Sequence, residues 1–144
     1  MHYLSTRDTS HRVTLSRALL DGLAPDGGLY VPEAFPTVDT TGFDGSSHIR
    51  QIGRALLEPF FDGDRLHRQL DTICDETFTF PIPLRDLERS TSVLELFHGP
   101  TAAFKDVGAR FLASALSRLN RDADRPTTIL VATSGDTGSA VASA

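Results

Sequence analysis

A lysine, Lys105, stands in the first turn of a predicted helix, within the stretch FHGPTAAFKDVGARF at residues 97–111. On a helical wheel Phe104 and Leu112 lie on the apolar face, and Asp106 and Ser114 lie on the opposite, polar face. Lys105 lies between Leu112 and Leu116, at the margin of the apolar face. The positive end of the helix macrodipole lies in the first turn, where a cation is disfavoured. Partial burial and the dipole therefore both favour the free amine over the ammonium form. Such an amine is suited to attack a carbonyl carbon and form an imine.

The same placement of Lys105 also has a purely structural interpretation. A first-turn lysine can lay its methylene chain along apolar neighbours and extend its ammonium group into water, which is the commoner arrangement. The preceding loop does not decide between the two, because Gly99 and Pro100 are turn residues and Thr101 or a neighbour is suited to cap the helix. Both interpretations stay open on the helix alone.

A second candidate site is the stretch ATSGDTGSA at residues 132–140. It follows a predicted buried strand and opens a helix, so its backbone N–H groups would form an anion site at the positive end of that helix. The hydroxyl groups of Ser134 and Thr137 add donors, and the glycines permit close approach of a carboxylate or phosphate. The spacing matches neither a Walker loop nor the dinucleotide fingerprint.

The two stretches are expected to face one crevice. Each would lie at the carboxyl end of one of two adjacent parallel strands, and ligands of open α/β sheets bind at that edge. An imine-forming amine beside an anion site predicts an enzyme that acts on amino acids.

The first half of the chain has the pattern of a mostly helical unit. MHYLST predicts a short strand, SRALLDGL predicts a helix that ends near Gly22, and residues 25–28 predict a tight turn. We expect the residues after that turn to pack beneath it, namely Leu29, Tyr30 and Val31.

Two further helices are predicted before residue 80. The spacing of apolar residues predicts an amphipathic helix from Ser46 to Phe61. Asp64 is suited to cap another that carries Leu66, Leu70 and Ile73. The prolines of FTFPIPLRDL then favour an extended connector and a domain boundary near residues 79–90.

After the connector the pattern becomes strand, helix, strand, helix. SVLELF and TTILVAT predict strands, and AAFKDVGARFLASALSRL and GSAVASA predict helices. This alternation predicts an α/β fold with a parallel sheet and right-handed crossovers. We expect an amino-terminal domain over residues 1–80 and a truncated α/β domain over residues 81–144, because two strands are too few for such a sheet.

The composition and net charge of the chain argue against some classes of function. The formal net charge of −5 argues against a nucleic-acid or anionic membrane partner, and there is no leader-like or membrane-spanning apolar run. We therefore expect a cytoplasmic protein that binds a small molecule. Its one cysteine, Cys74, leaves no zinc cluster and is expected to be a buried core thiol, so no metal site is predicted.

Three separated motifs resemble one known family. ELFHGPTAAFKDVGARF resembles the lysine segment of the threonine synthases, TSGDTGSA resembles their substrate loop, and GLAPDGGLYVPE resembles their amino-terminal signature. The first two recur across fold type II pyridoxal-phosphate enzymes, whereas the third is typical of threonine synthases. The resemblance implies a tryptophan-synthase-beta-like fold, incomplete here, with a mainly helical amino-terminal domain and the first βαβα of a parallel sheet.

The resemblance also implies residue roles. Lys105 would hold pyridoxal 5'-phosphate covalently and then act as the acid-base group. Asp136 would lie at the cofactor, or alternatively cap the helix. His98 lies in the lysine motif and is a further candidate for substrate contact. The residues that would receive the substrate α-carboxylate are Ser134, Gly135, Thr137 and Gly138.

The implied activity is that of a lyase acting on phosphate, which converts O-phospho-L-homoserine and water to L-threonine and phosphate, the last step of threonine biosynthesis. The family's glycine-rich loop for the cofactor phosphate would come after residue 144, so we expect these 144 residues alone to be inactive. Two alternatives are another fold type II enzyme, such as a threonine or serine dehydratase, and a non-catalytic module derived from one.

Overall fold

A short antiparallel sheet forms the amino-terminal edge of the computed structural model, which describes residues 1–45, 47–121 and 127–144. Its strands are β1 (Tyr3–Ser5), β2 (Arg12–Val13) and β3 (Tyr30–Pro32), in the order β2-β1-β3. The central strand pairs Tyr3 with Val13 on one side and with Pro32 on the other. The strand predicted in MHYLST is therefore confirmed.

The turn at residues 25–28 ties β1 to β3. The Asp26 carboxylate accepts hydrogen bonds from the Ser5 hydroxyl and the Gly28 N–H, each at 2.8 Å. The Gly28 N–H and the Ser5 hydroxyl lower the pKa of Asp26. Gly27 has a φ of 76°, which favours glycine, so the predicted tight turn is confirmed.

The expected burial of all three residues after this turn is wrong. Leu29 and Val31 are exposed, and Tyr30 is half-buried. Successive side chains of a strand point to opposite faces, so the face of β3 that carries Tyr30 is partly covered while the other meets solvent.

The two amino-terminal helices begin and end with local caps. Helix α1 (Leu15–Asp21) begins at Thr14, whose hydroxyl accepts from the Arg17 N–H, and it ends at Gly22 as predicted. Helix α2 (Ile49–Leu57) is capped by His48 and Gln51 and continues as a 3-10 turn, Glu58–Phe61. The helix predicted from Ser46 to Phe61 is thus confirmed in type. Its predicted first residue, Ser46, lies outside the described residues.

Asp64 joins two helix starts through one buried carboxylate. It caps a 3-10 segment, Arg65–Gln69, by accepting from the Leu66 N–H, and the segment leads into α3 (Leu70–Thr77). The same carboxylate accepts from the N–H and hydroxyl of Ser16 in α1. The sequence predicted the first contact but not the second.

The core lies where these helices meet β1. Its buried apolar residues are Tyr3, Leu15, Ala18, Phe61, Leu66, Leu70, Ile73, Cys74 and Ala115. Burial raises the pKa of the Cys74 thiol to about 11, so this cysteine is the inert core thiol that the sequence predicted.

Helix α4 (Lys105–Leu119) packs on this core through Ala115 and Phe111. The Phe111 ring meets Phe61 edge to face, with centroids 6.1 Å apart. Beside this contact, Glu76 of α3 accepts hydrogen bonds from Ser114 and Arg118 of α4. We call these three side chains the Glu76 clamp.

The predicted buried face of α4 is partly wrong. Phe104 and Leu112 are exposed, whereas Asp106 and Ser114, which the helical wheel placed on the polar face, are buried. Both buried polar groups have hydrogen-bond partners, which offsets the cost of removing them from water.

The predicted parallel sheet is not formed among the described residues. Strands β4 (Leu84–Asp86) and β5 (Ser92–Leu94) form an antiparallel hairpin. The described part of TTILVAT, residues 127–133, is exposed and contains no strand. A buried strand needs neighbours that take up its backbone hydrogen bonds, and the described residues supply none for this segment. The last predicted helix is confirmed as α5 (Asp136–Ser143).

None of the helices in the described part of the chain combines the length and apolar character needed to span a bilayer.

Gly28→Ala is expected to destabilise the fold by about 1–3 kcal/mol, because overpacking forces neighbours to shift. A Cβ at Gly28 would lie 2.2 Å from the Ser5 hydroxyl oxygen. Urea unfolding checks this, with Gly42→Ala as the matched control, since no described atom lies within 4 Å of a Cβ there. Equal stability of the two variants would contradict the close approach.

Glu76→Gln is expected to destabilise the chain by about 1 kcal/mol at neutral pH, a small value because the side chain is half exposed and screened by solvent. Arg118 and Ser114 lower the pKa of Glu76 from 4.5 to about 2. A carboxyl with a depressed folded pKa stabilises above its unfolded pKa, and this contribution is lost as pH falls from about 4.5 toward about 2.

Urea unfolding between pH 2 and pH 7 measures this loss. The Gln variant should lose less stability than the wild type across the acidic window. The exposed carboxylate variant Glu88→Gln is the control and should follow the wild type. Parallel curves for Glu76→Gln and wild type would contradict the role of the clamp.

Candidate active site

Lys105 is the first residue of α4, so it lies in the first turn as predicted, although the helix begins three residues later than the predicted stretch. The clamp and Phe111 hold the middle of this helix on the core, so the first turn projects from a fixed support. The Lys105 side chain keeps 34% of its surface exposed, which leaves the amine accessible to a small molecule.

The Lys105 amine has two close neighbours. Its Nζ lies 4.0 Å from a carboxylate oxygen of Asp136 and 4.5 Å from the centre of the Phe104 ring. Both neighbours attract a positive charge. The prediction from the helical wheel considered only apolar neighbours and the helix end, so it did not include the Asp136 carboxylate.

A cleft of about 350 Å³ lies between α4 and α5, with Lys105 at its edge. Its volume is within the range of roughly 300–1,000 Å³ that is usual for ligand pockets. The wall is almost entirely apolar, so a flat apolar ring system would pack there. The lining residues are Phe104, Lys105, Gly108, Ala109, Leu112, Thr137, Ala140 and Val141.

The TSGDTG turn leads into α5, whose Thr137 lines this cleft. Gly135 precedes the helix with a φ of 149°, in the region that favours glycine, and its N–H donates to the Thr133 hydroxyl. A Cβ at Gly138 would lie 2.6 Å from the Thr133 methyl carbon, so the turn packs too closely for a side chain there. The two glycines therefore shape the turn.

The structure brings together three of the predicted site residues, Lys105, Asp136 and Thr137. Ser134 and Gly135 are exposed, and within the described chain they lie outside the cleft lining, as does Gly138. Asp136 is the first residue of α5, and its carboxylate faces Lys105; within the described residues no side-chain cap forms at Gly135.

His98 has a different partner in the structure. Its Nε2 lies 2.7 Å from a Glu95 carboxylate oxygen, and its ring lies 4.7 Å from that of Phe97, centre to centre. His98 is outside the cleft lining among the described residues.

Sequence reasoning missed two features of the site. Asp106 is buried under the loop before α4, a position that the helical wheel assigned to solvent. The second feature is composition, since Lys105 is the only lysine among the 144 residues and the other basic side chains counted with it are arginines. Lys105 therefore supplies the only lysine amine in this sequence.

Solved structures define the class of fold. The chain superposes on a crystal structure of threonine synthase from Escherichia coli with a TM-score of 0.86 at 36% identity, covering 99% of this chain and 33% of that one. A pyridoxal-phosphate-bound threonine synthase from Brucella melitensis gives 0.87 at 37% identity, covering 99% and 32%. The described fold is therefore the mixed α/β fold found in part of these fold type II enzymes.

Sequence comparison identifies the family. Residues 2–78, more than half of the chain, match the family model for the threonine synthase N terminus, and the chain belongs to this family. It is 40% identical over 144 residues to threonine synthase of Haemophilus influenzae and 38% identical over 146 residues to that of Escherichia coli. The chain spans about a third of the length of these relatives, 33% and 34%, while all of this chain is covered.

Proposed function

We propose that this chain supplies the lysine side of the active site of a pyridoxal-phosphate-dependent threonine synthase. The observation that carries the proposal is the position of its only lysine, at the edge of an apolar cleft and facing the TSGDTG turn. Identity of 36–40% to threonine synthases along the chain supports the same conclusion.

The residues present fit pyridoxal 5'-phosphate. An accessible primary amine suits its aldehyde, and apolar walls at Phe104, Leu112 and Val141 suit its aromatic ring. When bound, the cofactor supplies the electron sink that stabilises negative charge at the substrate carbon. Lys105 would hold it, with the Asp136 carboxylate beside the amine.

Lys105 would also move the first proton. As a neutral amine, its Nζ would take the proton from Cα of O-phospho-L-homoserine. The Asp136 carboxylate, 4.0 Å away, would stabilise the resulting ammonium group. A Cβ proton would be removed next, and phosphate would leave from Cγ. Protonation at Cγ, addition of water at Cβ and return of a proton to Cα would then give L-threonine.

The TSGDTG turn would hold the substrate α-carboxylate. The Gly135 N–H is already bonded to Thr133, so the donors available to an anion are the N–H groups of the first turn of α5 and nearby hydroxyls. Thr137 lines the cleft, and Ser134 is exposed beside it. With Gly135 and Gly138 shaping the backbone, these four residues would form the carboxylate side of the site.

The proposal also covers the domain organisation of the chain and the cellular location of the enzyme. Residues 1–80 would form the amino-terminal domain, and residues 81–144 would begin the cofactor-binding α/β domain of a cytoplasmic enzyme. The isolated 144 residues would lack turnover, because only about a third of the length of the relatives is present.

The test uses the complete protein encoded by the gene that carries this chain. With O-phospho-L-homoserine it should release phosphate, and with pyridoxal phosphate it should show the visible absorption of a lysine-bound aldehyde. Lys105→Ala should abolish both. Lys105→Arg, which keeps a positive charge near Asp136 but forms no imine, should also abolish both.

Retention of phosphate release by either variant would contradict the role of Lys105. Formation of 2-oxobutyrate from threonine, without phosphate release from O-phospho-L-homoserine, would instead identify a dehydratase. Cooperative unfolding of the complete protein with no uptake of cofactor would indicate a non-catalytic module.

A further inference from the structure

Asp106 follows Lys105 in the chain and is a buried carboxylate, only 1% exposed. One carboxylate oxygen accepts the N–H of Thr101 at 2.9 Å, and the other accepts the Thr101 hydroxyl at 2.5 Å. Both donors lie in the loop that precedes α4. The side chain therefore ties the start of the helix back to this loop.

The loop folds closely around the carboxylate. A Cβ at Gly99 would lie 2.3 Å from an Asp106 oxygen, so only glycine fits at that position. Ala102 takes a φ of 56°, in the left-handed region that alanine rarely adopts, and its N–H donates to the Gly99 carbonyl at 3.1 Å. Strained backbone of this kind persists only where its surroundings hold it.

The first turn of α4 depends on this arrangement. In the described structure Phe104 stands at the N-cap position without a side-chain hydrogen bond to the helix. The Asp106 contacts to Thr101 take the place of such a cap, and Lys105 lies in the same turn. Adjacent residues of a helix point in directions about 100° apart, so Lys105 reaches the cleft while Asp106 points beneath the loop.

We propose that Asp106 is a positioning residue for Lys105: by holding Thr101 and the loop of residues 99–104, it fixes the backbone from which the amine reaches the cleft. The inference rests on the proposed function, since it concerns the approach of Lys105 to the cofactor aldehyde. Asp106 itself touches neither cofactor nor substrate.

The hydrogen bonds of Asp106 allow its effect on the loop to be tested apart from its negative charge. Both donors to Asp106 are neutral groups of Thr101. An asparagine at this position would accept the Thr101 N–H with its carbonyl oxygen and donate its amide N–H to the Thr101 hydroxyl oxygen. Asp106→Asn should therefore keep the loop in place, whereas Asp106→Ala leaves the partly buried Thr101 N–H without its Asp106 partner.

The experiment uses the complete protein with pyridoxal phosphate and follows three readouts: the visible absorption of lysine-bound cofactor, its rate of formation, and kcat and KM separately. Asp106→Ala should slow formation of the band and lower kcat on the order of 100-fold, with a smaller change in KM, because a misplacement of about 1 Å costs a factor of this size. Asp106→Asn should remain within about threefold of the wild type in both.

Two further variants control for a general loss of stability in Asp106→Ala. Thr101→Val removes the hydroxyl donor but keeps the N–H, so it should give a smaller effect of the same kind as Asp106→Ala. Ser114→Ala, on the same helix but in the Glu76 clamp, should lower the thermal stability while leaving the cofactor band and kcat unchanged. This contrast separates loop positioning from general weakening of α4.

Normal band formation and kcat in Asp106→Ala would overturn the inference, as would equal losses in Asp106→Asn and Asp106→Ala at matched thermal stability. In either case Lys105→Ala would still lack the band, so the proposed function would stand. If Lys105→Ala itself kept the band, the proposed function and the inference would fall together.

Discussion

The packing of α4 against α3 and the core supports the helix from which Lys105 projects. Ala115 and Phe111 bury the middle of α4, and the Glu76 clamp adds charged hydrogen bonds across the same contact. These bonds lie about two and a half to three and a half turns from Lys105, so they set the axis of the helix rather than the position of the amine. The amino-terminal half of the chain thus acts as the support of the candidate site.

Aspartate carboxylates fix the local backbone at three places that matter for the fold and the candidate site. Asp26, Asp64 and Asp106 each accept one or more backbone N–H groups and a serine or threonine hydroxyl. A carboxylate has acceptor sites for several donors, so one side chain can satisfy a strained turn or a helix start. Asp26 fixes the turn at residues 25–28, and Asp64 links α1 to the start of the Arg65–Gln69 segment. Asp106 fixes the loop before Lys105.

The sequence predicted the local elements well because their signals are local. Gly22 ends α1 and Asp64 begins the Arg65–Gln69 segment by contacts with residues close in the chain. The predictions failed where residues distant in the chain determine burial or strand formation. Asp106 and Ser114 of α4 are buried because the loop and α3 supply hydrogen bonds. Residues 127–133 form no strand because neighbouring strands are not available among the described residues.

The position of Lys105 in its helix was predicted from its motif. Its pairing with Asp136 was not predicted, because it depends on the contact between α4 and α5. The central claim is that this one amine holds the cofactor. Borohydride reduction of the cofactor-loaded complete protein, followed by peptide mass spectrometry, tests it directly. The account predicts a pyridoxyl group on the peptide that contains Lys105. A pyridoxyl group on another lysine, with Lys105 unmodified, would contradict it.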